Sequence, residues 1–336
     1  MSRRYLVTGA NGCIGAWIVK ILLDRDHAVT TLDLDAGSHR LDALYEPGRL
    51  PEIHERIDAR SGDVSELDDV RAAVEAARPD AIIHLAGLQV PTCRANPIAG
   101  ARVNVSGTLN IFEAAREAGT ANVTYASSAA VYGPAPADRP IKEDEFVDPR
   151  THYGVFKLAN EGNADIYWND HKVPSAGLRP LTIYGPGRDQ GMTSAPTTAI
   201  KSAILGAEFT MPLTGPTDFL YVEDAAMAFI ASADAVQEGA HVFNISGEST
   251  TFETCLELID AELPEDRRGL IRCEGGSIPI APNLDDTALR VATGHDRRTS
   301  LQDGIRKTIM AFDRLEGEGR LDLRDLPNFT RETGKA

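Results

Sequence analysis

Thr8-Gly9-Ala10-Asn11-Gly12-Cys13-Ile14-Gly15 is the stretch whose reading decides the fold. An apolar strand, Tyr5 to Thr8, runs into it, and an amphipathic helix, Cys13 to Leu23, leaves it. Gly9 permits the tight turn, Gly12 lets backbone approach a pyrophosphate, and Gly15 lets the helix pack close. Asn11, Cys13 and Ile14 complete the loop. The helix N-terminus then points unpaired N–H groups and a partial positive charge at phosphate. Asp33 closes the second strand (Ala28 to Leu32), 18 residues after Gly15. An acidic side chain there accepts hydrogen bonds from a ribose diol and repels a 2′-phosphate, which predicts NAD rather than NADP.

Outward from this loop, short apolar strands alternate with amphipathic helices, the pattern of a parallel sheet with crossover helices. Strands are predicted at Ile57 to Ser61, Ala81 to Leu85 and Asn122 to Ala126. Helices are predicted at Ser65 to Ala77, opened by a Ser65-Glu66-Leu67-Asp68 capping box, at Asn104 to Ala118, closed by Gly119, and at Tyr153 to Asn169. Ala176 to Leu181 and His241 to Ile245 read as further strands. Gly62-Asp63-Val64 follows the third strand, where Asp63 can bond an adenine amino group. The alternation loosens where Pro, Gly and Thr accumulate. The expected division is a nucleotide-binding domain over 1–184, rejoined by 218–245, and a smaller substrate domain from 185–217 and 246–320. A charged tail over 321–336 is expected to fray.

The composition fits an enzyme of this kind. The chain has 336 residues, and roughly 150 residues per domain makes two domains the prior. A formal net charge of -16, with no dense Lys/Arg run, argues against nucleic acid and anionic membranes as partners. No apolar run reaches the length of a membrane span, and no signal peptide precedes the first strand. Cys13, Cys93, Cys255 and Cys273 are scattered without a CxxC pair, which predicts free thiols, no metal site and a reducing, cytoplasmic setting.

Tyr153 and Lys157 stand four residues apart on one helix face. A buried cation beside a phenol lowers the phenol pKa, and a Tyr tuned that way can take a proton from an alcohol as a hydride leaves for a nicotinamide. Ser127-Ser128, ending 25 residues before Tyr153 at the end of a sheet strand, offers a hydroxyl to the same substrate oxygen. His84 lies at the end of a buried strand and reads as core packing.

Taken with TGANGCIG (8–15), GDV (62–64), HLAG (84–87), SSAAVYG (127–133), LRPLTIYGP (178–186) and FLYVEDAA (219–226), these residues make the chain resemble the extended short-chain dehydrogenase/reductase family, also called the NAD-dependent epimerase/dehydratase family. The resemblance implies an α/β, Rossmann-type doubly wound parallel sheet with a smaller C-terminal substrate domain. It also implies a homodimer through the helices around Asn104 to Ala118 and Tyr153 to Asn169. It makes Tyr153 the acid/base, gives Lys157 the nicotinamide ribose, and adds Ser128, rather than Ser127, as third partner. Leu85, Ala86 and Gly87 would line the cofactor, with Asn104 and Pro180 nearby.

Departures from the family pattern narrow the chemistry. Sugar dehydratases place an Asp-Glu pair where this chain has Ala129 and Ala130, so water elimination lacks its acid and base. Nucleotide-sugar epimerases grip a diphosphate with arginines. Here Thr217 precedes Asp218-Phe219, and Gly276-Ser277-Ile278-Pro279 carries no Arg. A diphosphate without Arg forks loses charge and geometry. The expectation is therefore an NAD-dependent dehydrogenase that oxidises a secondary hydroxyl of a small sugar, sugar acid or hydroxy acid, with Gln89, Ser128, Thr182 and Arg188 as substrate contacts. A UDP-sugar 4-epimerase is the alternative, and an NAD-sensing protein without turnover is a third.

Overall fold

The protein is described from a computed structural model, over residues 2–35, 37–119, 122–135 and 139–326. Strands β1 (Arg4–Thr8), β2 (Ala28–Asp33), β3 (Ile57–Ser61), β4 (Ala81–His84), β5 (Val123–Ala126) and β6 (Ser175–Arg179) alternate with helices. Then follow β7 (Thr182–Tyr184), β8 (Phe209–Leu213), β9 (Pro216–Tyr221), β10 (Ala240–Asn244), β11 (Glu248–Thr251) and β12 (Ile271–Gly276). Seven strands form one parallel sheet in the order β10-β6-β5-β4-β1-β2-β3. The order reverses between β1 and β4, and a ligand crevice opens outside the carboxyl ends of the strands at such a switch point.

The predicted strands stand within a residue or two of these bounds. The helices that position the site are α1 (Cys13–Asp24), α2 (His39–Ala43), α3 (Leu67–Ala77), α4 (Gly107–Ala118), α5 (His152–His171), α6 (Ala195–Ile204), α7 (Val222–Ala235) and α8 (Leu301–Gly317). One face of the sheet packs on α1 and α7 through Ile18, Leu22, Ala226 and Phe229, and the other on α3 and α4 through Val70, Val74, Ile111 and Phe112. Outside the main sheet, β11, β9 and β7 make a three-stranded sheet, and β12 pairs with β8. The β8–β12 pair thus joins the two stretches, 185–217 and 246–320, that were assigned to one substrate unit.

Three local expectations are corrected. The capping box does not form: α3 starts at Leu67 after an uncapped Glu66, because Asp63 accepts from Ser65 N at 2.8 Å and Asp69 accepts from Asp63 N at 2.9 Å. These Asx-type bonds take the turn that the Ser hydroxyl would have capped. The helix expected from Asn104 runs on from Pro97, and its α4 part starts at Gly107, after a π-helical turn over Arg102–Ser106. The expected tail is packed as far as residue 326. Leu321 is buried, and Asp325 pairs with buried Lys201 at 2.6 Å; residues 327–336 lie outside the described residues. Ahead of it, α8 buries Ile305, Ile309, Phe312 and Leu315, a full apolar stripe.

Candidate active site

The Gly-rich loop turns where the sequence requires. Gly9 has φ +69°, and a Cβ on it would stand 2.6 Å from Ala86 N; a Cβ on Gly15 would stand 2.3 Å from Gly9 O. Only glycine lets α1 seat this close to β1 and β4. No side chain caps the α1 N-terminus, so its first-turn N–H groups stay open to an anion. Asp33 holds the loop from the side: Asn11 N donates to Oδ2 and Leu34 N to Oδ1, both at 2.9 Å.

This loop is the floor of a cleft of about 400 Å³. Gly9, Gly12, Cys13, Ile14, Gly15, Asp33, Asp63, Val64, Leu85, Ala86, Gly87 and Pro180 line it, together with Ser128, Tyr153, Lys157, Gln89 and Arg188. Residues from several separate segments of the chain thus meet in one space. The narrow glycine cradle, the uncapped helix and the acidic β2 end fit a dinucleotide. Three predicted contacts do not line the cleft. Asn11 turns its amide to Asp35 O at 2.9 Å. Asn104 is buried and clamps Leu88, accepting from its N–H and donating to its carbonyl, both at 3.0 Å. Thr182 is fully buried and shares a 2.7 Å hydroxyl bond with Thr217. Alternation along β7 turns Thr182 away from the cleft and Ile183 towards it.

Tyr153 sits in the first turn of α5, whose N-terminus Thr151 caps through its hydroxyl to Gly154 N at 3.0 Å. The Tyr153 phenol and the Ser128 hydroxyl face the same cleft, near enough to interact. Burial raises the phenol pKa, while the Ser128 hydroxyl and the Arg188 guanidinium pull it back. Arg188 therefore adds a cation near the phenol, besides the Lys157 that the spacing pointed to. Lys157 lies one turn on, with Nζ 5.4 Å from the Tyr153 ring centre and donating to Ala126 O at 2.7 Å. Burial lowers the Lys157 pKa to about 8. Neighbouring Ser127 is taken up by Glu161, which also forms a buried pair with Arg179 at 2.6 Å, so Ser128 is the hydroxyl left for a ligand.

His84 bridges Thr8 at 2.7 Å and Thr108 at 3.1 Å, and burial lowers its pKa to about 3. It is a neutral core histidine. Sequence reasoning missed Arg40, which lines the cleft and binds Asp189 through two bonds of 3.1 and 2.8 Å. The pair is 149 residues apart, and no local pattern announces it.

Comparison with known proteins places this geometry. Residues 5–246 match the NAD dependent epimerase/dehydratase family, and the chain belongs to that family. Its cofactor is accordingly NAD. The chain is 30% identical to UDP-glucose 4-epimerase of Mycolicibacterium smegmatis (strain ATCC 700084 / mc(2)155) over 316 residues, 92% of this chain and 98% of that protein. The fold is similar to that of Thermus thermophilus UDP-glucose 4-epimerase in complex with NAD, with a TM-score of 0.79 and 25% identity, covering 92% of this chain and 98% of that one. It is also similar to UDP-N-acetylglucosamine 4-epimerase of Methanobrevibacter ruminantium M1 in complex with UDP-N-acetylmuramic acid, with a TM-score of 0.79, 26% identity and coverage of 93% and 98%. Among the described residues, no helix is long and apolar enough to cross a membrane.

Proposed function

We propose that this protein is an NAD-dependent sugar 4-epimerase, which revises the dehydrogenase expected from the sequence. The observation that carries the reading is the Ser128–Tyr153–Lys157 group at the cleft, on a chain similar over nearly its full length to UDP-sugar 4-epimerases. Bound NAD supplies a hydride acceptor that can also give the hydride back. Tyr153 takes the proton of a secondary hydroxyl as its C–H hydride leaves, which forms a ketone, and returns that proton when the hydride is delivered to the opposite face. Ser128 orients the carbinol oxygen, and Lys157 holds the nicotinamide ribose and offsets charge on the phenolate. Because the hydride comes back, no reduced cofactor accumulates. Incubation with UDP-glucose, UDP-N-acetylglucosamine or UDP-glucuronate is expected to yield the C4 epimer with no net rise in reduced-nicotinamide absorbance. Stoichiometric, substrate-dependent NADH would overturn this reading.

A second reading, net oxidation of a small sugar acid or hydroxy acid, is favoured by one specific observation. Thr217, where an epimerase grips diphosphate with Arg, is 1% exposed and bonded to Thr182. Arg188 instead lines the cleft beside Tyr153, donates to Thr193 Oγ1 at 3.0 Å, and has a buried Nε without a hydrogen-bond partner. That guanidinium suits a carboxylate. Arg188→Gln would raise KM about tenfold for acidic substrates and leave neutral ones unchanged. We place the protein in the cytoplasm as a homodimer through α4 and α5, where Val155 and Ile166 are exposed at 48% and 56%. Light scattering at twice the chain mass would support the dimer.

A further inference from the structure

We propose that Arg40 and Asp189 form a strap that holds NAD in its cleft and sets its rate of release. Arg40 projects from α2, just after the Asp33 end of β2. Asp189 projects from the loop after β7, on the substrate side of the molecule. Their fork-on-carboxylate contact joins the two sides, with Arg40 Nε 3.1 Å from Oδ2 and Nη2 2.8 Å from Oδ1. The remaining nitrogen, Nη1, donates to the carbonyl of Asn11 in the Gly-rich loop at 2.5 Å. One guanidinium thus ties the phosphate-binding floor to the substrate-side loop. Both side chains are only 14% exposed, so the pair is shielded from the screening that weakens surface ion pairs.

The loop it holds lies over the α1 N-terminus. Trp17 on α1 donates to Pro186 O at 2.9 Å. At Gly187, with φ +92°, a Cβ would come within 3.9 Å of Cys13 Cα and 3.7 Å of Arg40 Cδ. A side chain added here would thus just reach the first residue of α1. The C-terminal end of α2, which carries Arg40, is anchored from behind. Arg314 donates to Ala43 O at 2.8 Å, and Arg320 donates to Tyr45 O at 3.2 Å and to Asp42 O. A fixed donor on one side and a loop on the other make a closure that opens by breaking this pair. His39, Asp189 and Asp322 bring ligand-type atoms within 4.8 Å of one another. Asp189 is held by Arg40, and Asp322 by Arg324 at 2.6 Å, so the cluster serves as an ion-pair node.

The inference concerns dinucleotide release and holds whichever substrate is turned over. The test uses the full chain loaded with NADH, chased with excess NAD, and follows loss of bound NADH fluorescence without any sugar present. Asp189→Asn and Arg40→Gln should each release NADH about tenfold faster than wild type. Arg40→Lys, which keeps charge but not the fork, should fall between. The double variant should release no faster than Arg40→Gln alone, because the contact that Asp189→Asn removes is already lost there. Release from Asp189→Asn at the wild-type rate would overturn the strap. So would fully additive effects in the double variant, and thermal melting of each apo variant at the wild-type temperature excludes misfolding as the source of faster release.

Discussion

The nucleotide side and the substrate side of the cleft were built from the same kind of sequence evidence and came out differently. On the nucleotide side, every expected contact but Asn11 and Asn104 meets in one space, Gly9, Gly12, Gly15, Asp33, Asp63 and Gly87 among them. Each of them sits at a strand end or loop in a regular β-α alternation, so its place in sequence fixes its place in space. On the substrate side, Thr182 and Thr217 bond each other inside the three-stranded sheet, and Arg188 reaches the cleft from an irregular loop. Where the chain departs from the regular alternation, a residue's number no longer says which way it points.

Four substitutions can break or sharpen that contrast. The largest effect belongs to Tyr153→Phe, which should lower turnover about 10²- to 10⁴-fold while NAD binding stays within a few-fold, read by stopped assays and calorimetry. Next is Lys157→Met. The Lys157 pKa is about 8 in the folded protein and the ordinary value of a free lysine is 10.5, so the unfolded chain binds more protons between these values. Wild-type stability should therefore rise with pH across that window, on the order of 3 kcal/mol, relative to the Met variant. Denaturant midpoints at about pH 7.5 and about 10.5 would measure it; parallel curves would sink the assignment. Asp33→Asn should weaken NAD about tenfold and shrink the preference over NADP, seen in paired affinities for the two cofactors. Smallest is Thr182→Val. It should cost about 1 kcal/mol of stability and leave KM within about twofold, since the hydroxyl serves Thr217. A large KM change there would return Thr182 to the substrate contacts.

Particular residues show how far the sequence could be read. The eight-residue glycine loop, the β2 Asp and the Ser-Tyr-Lys set were legible because each depends on near neighbours and on element order. The capping box at Ser65 failed because Asp63 offered the Ser65 N–H a competing acceptor, in a turn that Asp69 holds through the Asp63 N–H. The helix expected from Asn104 runs on from Pro97, and Asn104 lies in its π-helical turn, which brings the Asn side chain onto Leu88 from 16 residues away. The tail expectation failed at Asp325, whose partner Lys201 lies 124 residues earlier. Tyr153 illustrates the same limit in electrostatics: the four-residue spacing pointed to Lys157, but nothing local announced Arg188, from a loop beyond β7, which also pulls down the pKa that burial raises.

The sequence by itself determined the alternating sheet, the dinucleotide loop and NAD as the cofactor, because helix and strand periodicity and glycine sterics act over a few residues. Only the tertiary structure decided which hydroxyls and guanidiniums face the cleft. It also decided that Arg40 and Asp189 join across it and that the C-terminal segment packs down. Those outcomes depend on side chains far apart in the chain being brought within hydrogen-bond distance, and burial then sets the strength of their charges.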